Sequence, residues 1–338
     1  MSILSHPLFW KVLEDSGSIN ETRGMSKIEF KTSNASLVTF SKTHSYGEYI
    51  FDWSWADAFA KNGLPYYPKL TSMVPFTPAT ATHFQGDQSE WSELLRQHDE
   101  ILKNHSSGHF LFTTKEEQAF LGSHGYLLRD SFQYHFFNED YKSFEDFLEK
   151  LKSKKAKNVQ QERSHPELKI ERLTGKDLTT EHAQEMHQFY LMTLEEKRAI
   201  PYLTADFFKL LFESLPQNTL YVRASKEGEL IAGALFYYDE EKIYGRYWGS
   251  KSFIRNLHFE LCYYQGIEFC IEKGLKVFEA GAQGEHKIAR GFRPVLTTSA
   301  HQINHPGFKT AIANYIQAER TQVAQAMDEL SKLLPFKN

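Results

Sequence analysis

The sequence predicts an α/β protein of two domains with mixed, mainly antiparallel sheets. Three observations carry that prediction. The 338 residues exceed what one hydrophobic core usually serves. Short strand-like runs alternate with helix-period stretches along the chain. In the second half, "TLYVRAS", "ELIAGALFYYD" and "KIYGRYWGS" follow one another across connections short enough for hairpins. Apolar residues make up 41% and aromatic residues 14%, so the chain can bury a sizeable core and is not disordered. A formal charge of -4 gives no general basic field, which excludes wholesale nucleic-acid coating and leaves only local basic patches.

Taken in order, the first half reads as strands "SLVTFSK" and "GEYIFD", helix "SWADAFAKNG", strand "KLTSMVPFT", helix "DQSEWSELLRQHDEILKNH" and strand "HFLFTT". After "FQYHFFN", the periodic Phe144, Phe147, Leu148 and Leu151 predict a helix that runs into a basic cluster, and the domain junction is placed there, giving domains 1–150 and 151–338. The second half reads as two helices, the three-strand meander, a helix capped by Asn256 and ended by Gly274, and the short strand "KVFEA". A glycine-rich loop, a strand "TTSAHQI" and a long amphipathic helix over 307–334 complete it.

Cys262 and Cys270 lie eight apart in one apolar helical pattern and read as core packing, in keeping with a reducing, cytoplasmic setting. The N-terminus lacks the charge-then-apolar order of a leader, and no run of 18 apolar residues occurs. The 15 histidines are scattered, with His182 and His187 five apart, so no metal site is expected.

The order of helices, antiparallel meander, central helix and further strand resembles the GNAT acyltransferase fold. The phrases "GEYIFDWSWADAF", "YYPKL", "VPFTPATA", "HFELCYYQGIEFCIEKGL" and "GAQGEHKIARGF" resemble a bacterial GNAT-like family labelled peptidoglycan biosynthesis or recognition, related to the Fem-type aminoacyltransferases. The match spans nearly the whole chain. It implies two GNAT-like domains in tandem, the first degenerate or acceptor-binding and the second holding an acyl donor. The implied reaction is transfer of an acyl group from acyl-coenzyme A to an amine, possible acceptors being peptidoglycan precursors or other small-molecule or peptide amines. Transfer from aminoacyl-tRNA and a non-catalytic binding protein for a peptide or cell-wall precursor are the alternatives.

GNAT enzymes hold the donor pyrophosphate with an (Arg or Gln)-x-x-Gly-x-(Gly or Ala) loop, because backbone N–H groups at a helix start suit phosphate. In "RYWGSK", Arg246 and Gly249 match, Ser250 lies between, and Lys251 replaces the final small residue; an ordinary turn is the competing reading. Lys152, Lys154, Lys155, Lys157, Asn158 and Arg163 resemble the basic stretch that opens the second domain of Fem-type proteins, against a solvated helix face.

The loop "GAQGEHKIARGF", residues 281–292, begins where the strand after the central helix ends, which in this fold is beside the reaction centre. Attack by an amine needs a base, and His286 or a carboxylate such as Glu285 suits that role. Lys287 and Arg290, read as permanently charged, suit an anion. A flexible surface loop is the bland alternative. Glu260 and Tyr263 on the central helix, and Asp52, Trp53 and Trp55 in "FDWSWA", are further substrate-binding candidates beside a packing role.

Overall fold

A computed structural model describes residues 2–337. The chain gathers into two compact units. The first unit comprises Ile19–Phe132 and Leu296–Asp328; the second comprises the segment up to Ser18, Gln133–Val295 and the segment from Glu329 onward.

Helix α1 (Pro7–Asp15) opens the chain and belongs to the second unit. The first unit then runs β1 (Met25–Lys31), β2 (Ala35–Lys42), α2 (Trp53–Lys61), β3 (Lys69–Ser72), β4 (Phe84–Gly86), α3 (Trp91–Leu102), β5 (Ser107–Phe110) and α4 (Lys115–Ser123). Strand β6 (Leu127–Phe137) carries the chain into the second unit, which continues with α5 (Phe144–Lys150), α6 (Ser153–Glu162), β7 (Lys169–Leu173), α7 (Thr180–Glu196) and α8 (Ala205–Ser214). The meander β8 (Thr219–Lys226), β9 (Glu229–Tyr238) and β10 (Lys242–Ser250) follows, then the central helix in two pieces, α9 (Leu257–Phe259) and α10 (Gln265–Glu272), and β11 (Val277–Glu279). Strand β12 (Arg293–Ile303) returns the chain to the first unit and leads into α11 (Pro306–Lys332).

Strand pairing follows one pattern in the two units. In the first unit β1 pairs antiparallel with β2, β2 with β3, β3 parallel with β5, and β5 antiparallel with β12. In the second, β8 pairs antiparallel with β9, β9 with β10, β10 parallel with β11, and β11 antiparallel with β6. A helix links the two strands of each parallel pair, as parallel pairing requires. The closing strand of each series is thus drawn from the other half of the sequence. That exchange is why the division expected at 150/151 does not hold: the crossings fall inside β6 and β12, and residues 296–328 belong with the first unit.

Aromatic packing fills both cores. Phe84 stacks on Trp91 and on Phe110 at 5.1 and 5.3 Å, and Ile312 and Ile316 of α11 pack with Trp55, Phe59 and Tyr66. In the second unit Tyr190, Phe208 and Tyr247 meet edge to face or tilted.

Four local expectations change. "GEYIFD" is a loop and not a strand, with Tyr49 and Phe51 at φ 61° and 53°. The junction helix is two helices, because Leu151 turns extended and bridges to Phe336. Asn256 adopts a left-handed φ of 65° and makes no side-chain cap, while Gly274 ends the helix at φ 64° as expected. Between α9 and α10, Glu260–Tyr264 form a π-turn, a feature common at functional sites and without a simple sequence signal.

Candidate active site

The parallel strands β10 and β11 are in register only over Lys242–Tyr244 and Val277–Glu279. Beyond this, β10 bulges against β9 between Gly245 and Tyr247, and β11 ends, so the two strands open. From the end of β11 the chain passes through Gly281 and Gly284, both at positive φ, into a 3₁₀ helix, Glu285–Arg290. Gly291, at φ 93°, turns it back; a Cβ there would stand 2.9 Å from the Phe147 ring.

The short helix sorts its side chains by side. Glu285 and His286 face solvent, whereas Lys287 and Arg290 are 2% and 6% exposed. Lys287 Nζ donates to the Gly281 carbonyl at 2.9 Å and lies 5.9 Å from the ring centres of Tyr134 and Tyr263. No carboxylate pairs with it among the described residues, and burial lowers its pKa to about 7. The expected permanent cation is therefore corrected: near neutrality Lys287 is an amine that gains and loses its proton.

His286 Nε2 is 2.9 Å from the Tyr263 hydroxyl. Partial burial of the ring edge that meets Tyr263, helped by the charge of Arg290, lowers the imidazole pKa, and burial raises that of Tyr263, so a neutral ring meets a protonated phenol. His258, pushed down to about 4 by burial, lies behind with its ring centre 6.4 Å from that of His286.

Arg290 is an internal fastening and not an open anion anchor. Its guanidinium donates to Glu162 at 2.7 Å and to the His286 carbonyl at 2.6 Å, and covers the Phe259 ring at 3.4 Å. Glu162 also accepts from the Tyr264 hydroxyl, tying the end of α6 to the central helix and the loop. Glu260 is likewise internal: at 2% exposure it accepts two bonds from Arg163, at 3.1 and 3.2 Å, and one from Gln265, while Arg163 gives a third to Glu268 at 2.7 Å. Arg163 thus leaves the basic stretch to clamp the central helix, stacked on Phe144 at 4.1 Å.

The other candidates separate. Arg246, Gly249 and Ser250 are strand residues of β10, and Lys251 follows with its backbone N–H bonded to the Ile231 carbonyl. A Cβ on Gly249 would stand 2.0 Å from the Phe189 carbonyl oxygen, so this glycine admits α7 against the sheet and not a phosphate. Gly249→Ala is therefore expected to lower unfolding free energy by about 2 kcal/mol or more, read by urea denaturation. In the first unit, Asp52 is 1% exposed inside an ion cluster and Trp55 is 4% exposed in the core, while Trp53 is 43% exposed.

Sequence reasoning missed Tyr134, His135 and Glu279. His135 Nε2 lies 3.9 Å from Glu279, which Lys242 pairs at 2.8 Å, all within the second unit. Residues on β6 enter this site only through the strand exchange, which gave no local signal. Among the described residues no group of three or more His, Cys, Asp or Glu side chains is placed to hold a metal, and no helix is long and apolar enough to cross a membrane.

An opened parallel strand pair, a central helix between its strands, and a loop of ionisable groups at the opening define a GNAT-like fold in the second unit, and the first unit repeats its strand-pairing order. The chain belongs to the FemAB-like family, described as peptidoglycan biosynthesis/recognition, whose model matches residues 2–338. Among solved structures it is similar to FemX, at 11% identity and a TM-score of 0.56, covering 92% of this chain and 94% of that one. It is also similar to L-PGS from Bacillus licheniformis, at 13% identity and a TM-score of 0.55, covering 97% and 96%. At these identities the likeness is one of fold. No curated protein matches the sequence.

Proposed function

We propose that this protein transfers an acyl group from an activated ester to an amine, with a peptidoglycan precursor as the acceptor class and the second unit holding the donor. The observation that carries this reading is Lys287: a buried amine without a carboxylate partner among the described residues, with a pKa of about 7, bonded to the Gly281 carbonyl two residues past the end of β11 and 5.9 Å from the Tyr263 ring centre. The acceptor attacks as its free amine, and Lys287 in its neutral form takes the proton that the nitrogen sheds as the C–N bond forms. As the bond to the leaving oxygen or sulfur breaks, Tyr263, held protonated by burial and linked to His286, gives its proton to the leaving atom, and the proton now on Lys287 restores the Tyr263 hydroxyl.

The donor is a thioester of coenzyme A or an aminoacyl ester of tRNA, and one observation favours the second. The glycine on which the coenzyme A loop rested is filled by α7. Incubation with labelled acyl-coenzyme A or labelled aminoacyl-tRNA, each with a muropeptide carrying a free amine, tests the proposal. Transfer from either donor supports it, and transfer from tRNA should weaken steeply with salt. No transfer from either donor, by protein whose fold is intact, overturns it.

His286→Gln separates the two bases the loop offers. It is expected to lower turnover about 10-fold or more while the rate still rises with pH through about 7, because Lys287 remains. A pH profile flattened by this change would return the role of base to His286, with Glu285 as the next residue to test.

A further inference from the structure

In the first unit, the loop between β2 and α2 is a costly construction. Tyr49 and Phe51 hold positive φ, a conformation disfavoured for such residues and retained where the surroundings impose it. The surroundings are four buried ionisable side chains, none more than 2% exposed. Lys69 donates to Ser45 at 2.7 Å, Glu48 at 2.6 Å and Asp52 at 2.5 Å. Lys42 donates to the Tyr46 carbonyl at 3.1 Å and lies 3.5 Å from Glu48. At Gly47, a Cβ would stand 2.5 Å from the Phe76 ring. Every part of this apparatus fixes the loop from the inside.

Its outer face consists of aromatic rings. Tyr46, Phe51 and Trp53 are 49%, 50% and 43% exposed. Tyr46 lies between His44 and Trp53, with ring centres 5.1 and 5.4 Å away and planes tilted by 53° and 57°. His44 is neutral: Nε2 donates to the Arg23 carbonyl, Nδ1 accepts from the Tyr46 N–H, and burial lowers its pKa.

The charge around these rings restricts the partner. From Thr43 to Ala60 the acidic and basic residues are Glu48, Asp52 and Asp57, of which the first two are buried. Lys42 and Lys69 are turned inward, and Arg129, whose guanidinium donates to the Ile50 carbonyl, pairs with Glu319. Arg23, whose carbonyl bonds His44, is an exposed cation beside the corner. One arginine at the edge of three exposed rings suits a polynucleotide or an anionic lipid surface poorly, since each calls for several lysines or arginines. It suits a neutral ring with apolar C–H faces and hydroxyls at its edge.

We propose that Tyr46 and Trp53 form a sugar-binding platform, and that its ligand is the saccharide of an amino-sugar peptide acceptor. The proposal rests on the acceptor part of the function given above and is independent of the donor. Calorimetric titration with chitotriose and with muramyl dipeptide tests it, against the stem peptide alone and vesicles of phosphatidylglycerol. Both sugars are expected to bind wild type. Trp53→Ala should weaken that binding about tenfold and Tyr46→Ala severalfold, with thermal midpoints unchanged because both rings are exposed. Binding of the peptide or the vesicles without the sugars, no binding of the sugars, or undiminished affinity in Trp53→Ala would each overturn the platform. Because no donor is present, a negative result leaves acyl transfer standing. Transfer that fails while the sugars still bind would instead count against the reaction.

Discussion

Lys287→Met is expected to lower turnover by about 10² or more and, at the same time, to stabilise the protein. The two effects have one cause, an amine held where its charge is disfavoured. In the unfolded chain the group titrates near the ordinary lysine value of 10.5, and in the folded protein at about 7. Between these values the unfolded chain binds more protons, so stability rises with pH across this window. Below pH 7 the folded state must bury the ammonium, and the full penalty, on the order of several kcal/mol, is present. Methionine fills the space of the lysine stem without the charge. The gain in unfolding free energy should therefore be largest near pH 6 and shrink to under about 1 kcal/mol by pH 10. Wild-type turnover should rise with pH through about 7 as the amine becomes a base, and the variant should lose that rise. Denaturant unfolding at three pH values, with transfer assays on the same samples, reads both. A variant that is no more stable at pH 6 than wild type would show that Lys287 is not buried as a strained cation.

Much of the fold could be read from periodicity. The helices α7 and α8, the meander β8–β10 and the central helix appeared in order because each buries one face at its own repeat. The partition into units could not, since a closing strand carries no mark of which unit it will complete. "GEYIFD" alternates like a strand, but Lys42 just before it and Lys69, 17 residues past Asp52, hold it as a loop. The candidate loop was legible as a collection of ionisable residues at the right place in the chain. Which of them point inward was not, because the 3₁₀ helix that buries Lys287 and Arg290 depends on Gly284 and Gly291 at positive φ. The glycine of "RYWGSK" was visible too, yet the tight contact that requires it, the Phe189 carbonyl, comes from another helix.

Lys69→Met is expected to destabilise the protein by about 3–5 kcal/mol at pH 7, the usual scale for removing one partner from a buried ionic group. Burial opposes charge on Lys69 and Asp52 alike, but the pair overcomes it: Glu48 and Asp52 leave the Lys69 pKa raised, and Lys69 with Tyr66 leaves that of Asp52 lowered. Glu48 and Lys42 are the weaker half, since burial raises the first and lowers the second despite their proximity. Without Lys69, two carboxylates share one lysine in a dry site, and protonating one of them relieves the excess charge. The folded state then binds more protons than the unfolded chain over the range above the ordinary carboxylate pKa, so the variant should regain stability as the pH falls from 7 toward 5. Replacing both members, Lys69→Met with Asp52→Asn, should cost less than the sum of the single changes, because each single change strands the other residue. The same variants should weaken chitotriose binding, since the loop that carries Tyr46 and Trp53 loses its fastening. A Lys69→Met protein whose stability and sugar affinity both match wild type would remove the case that these buried charges exist to hold that loop.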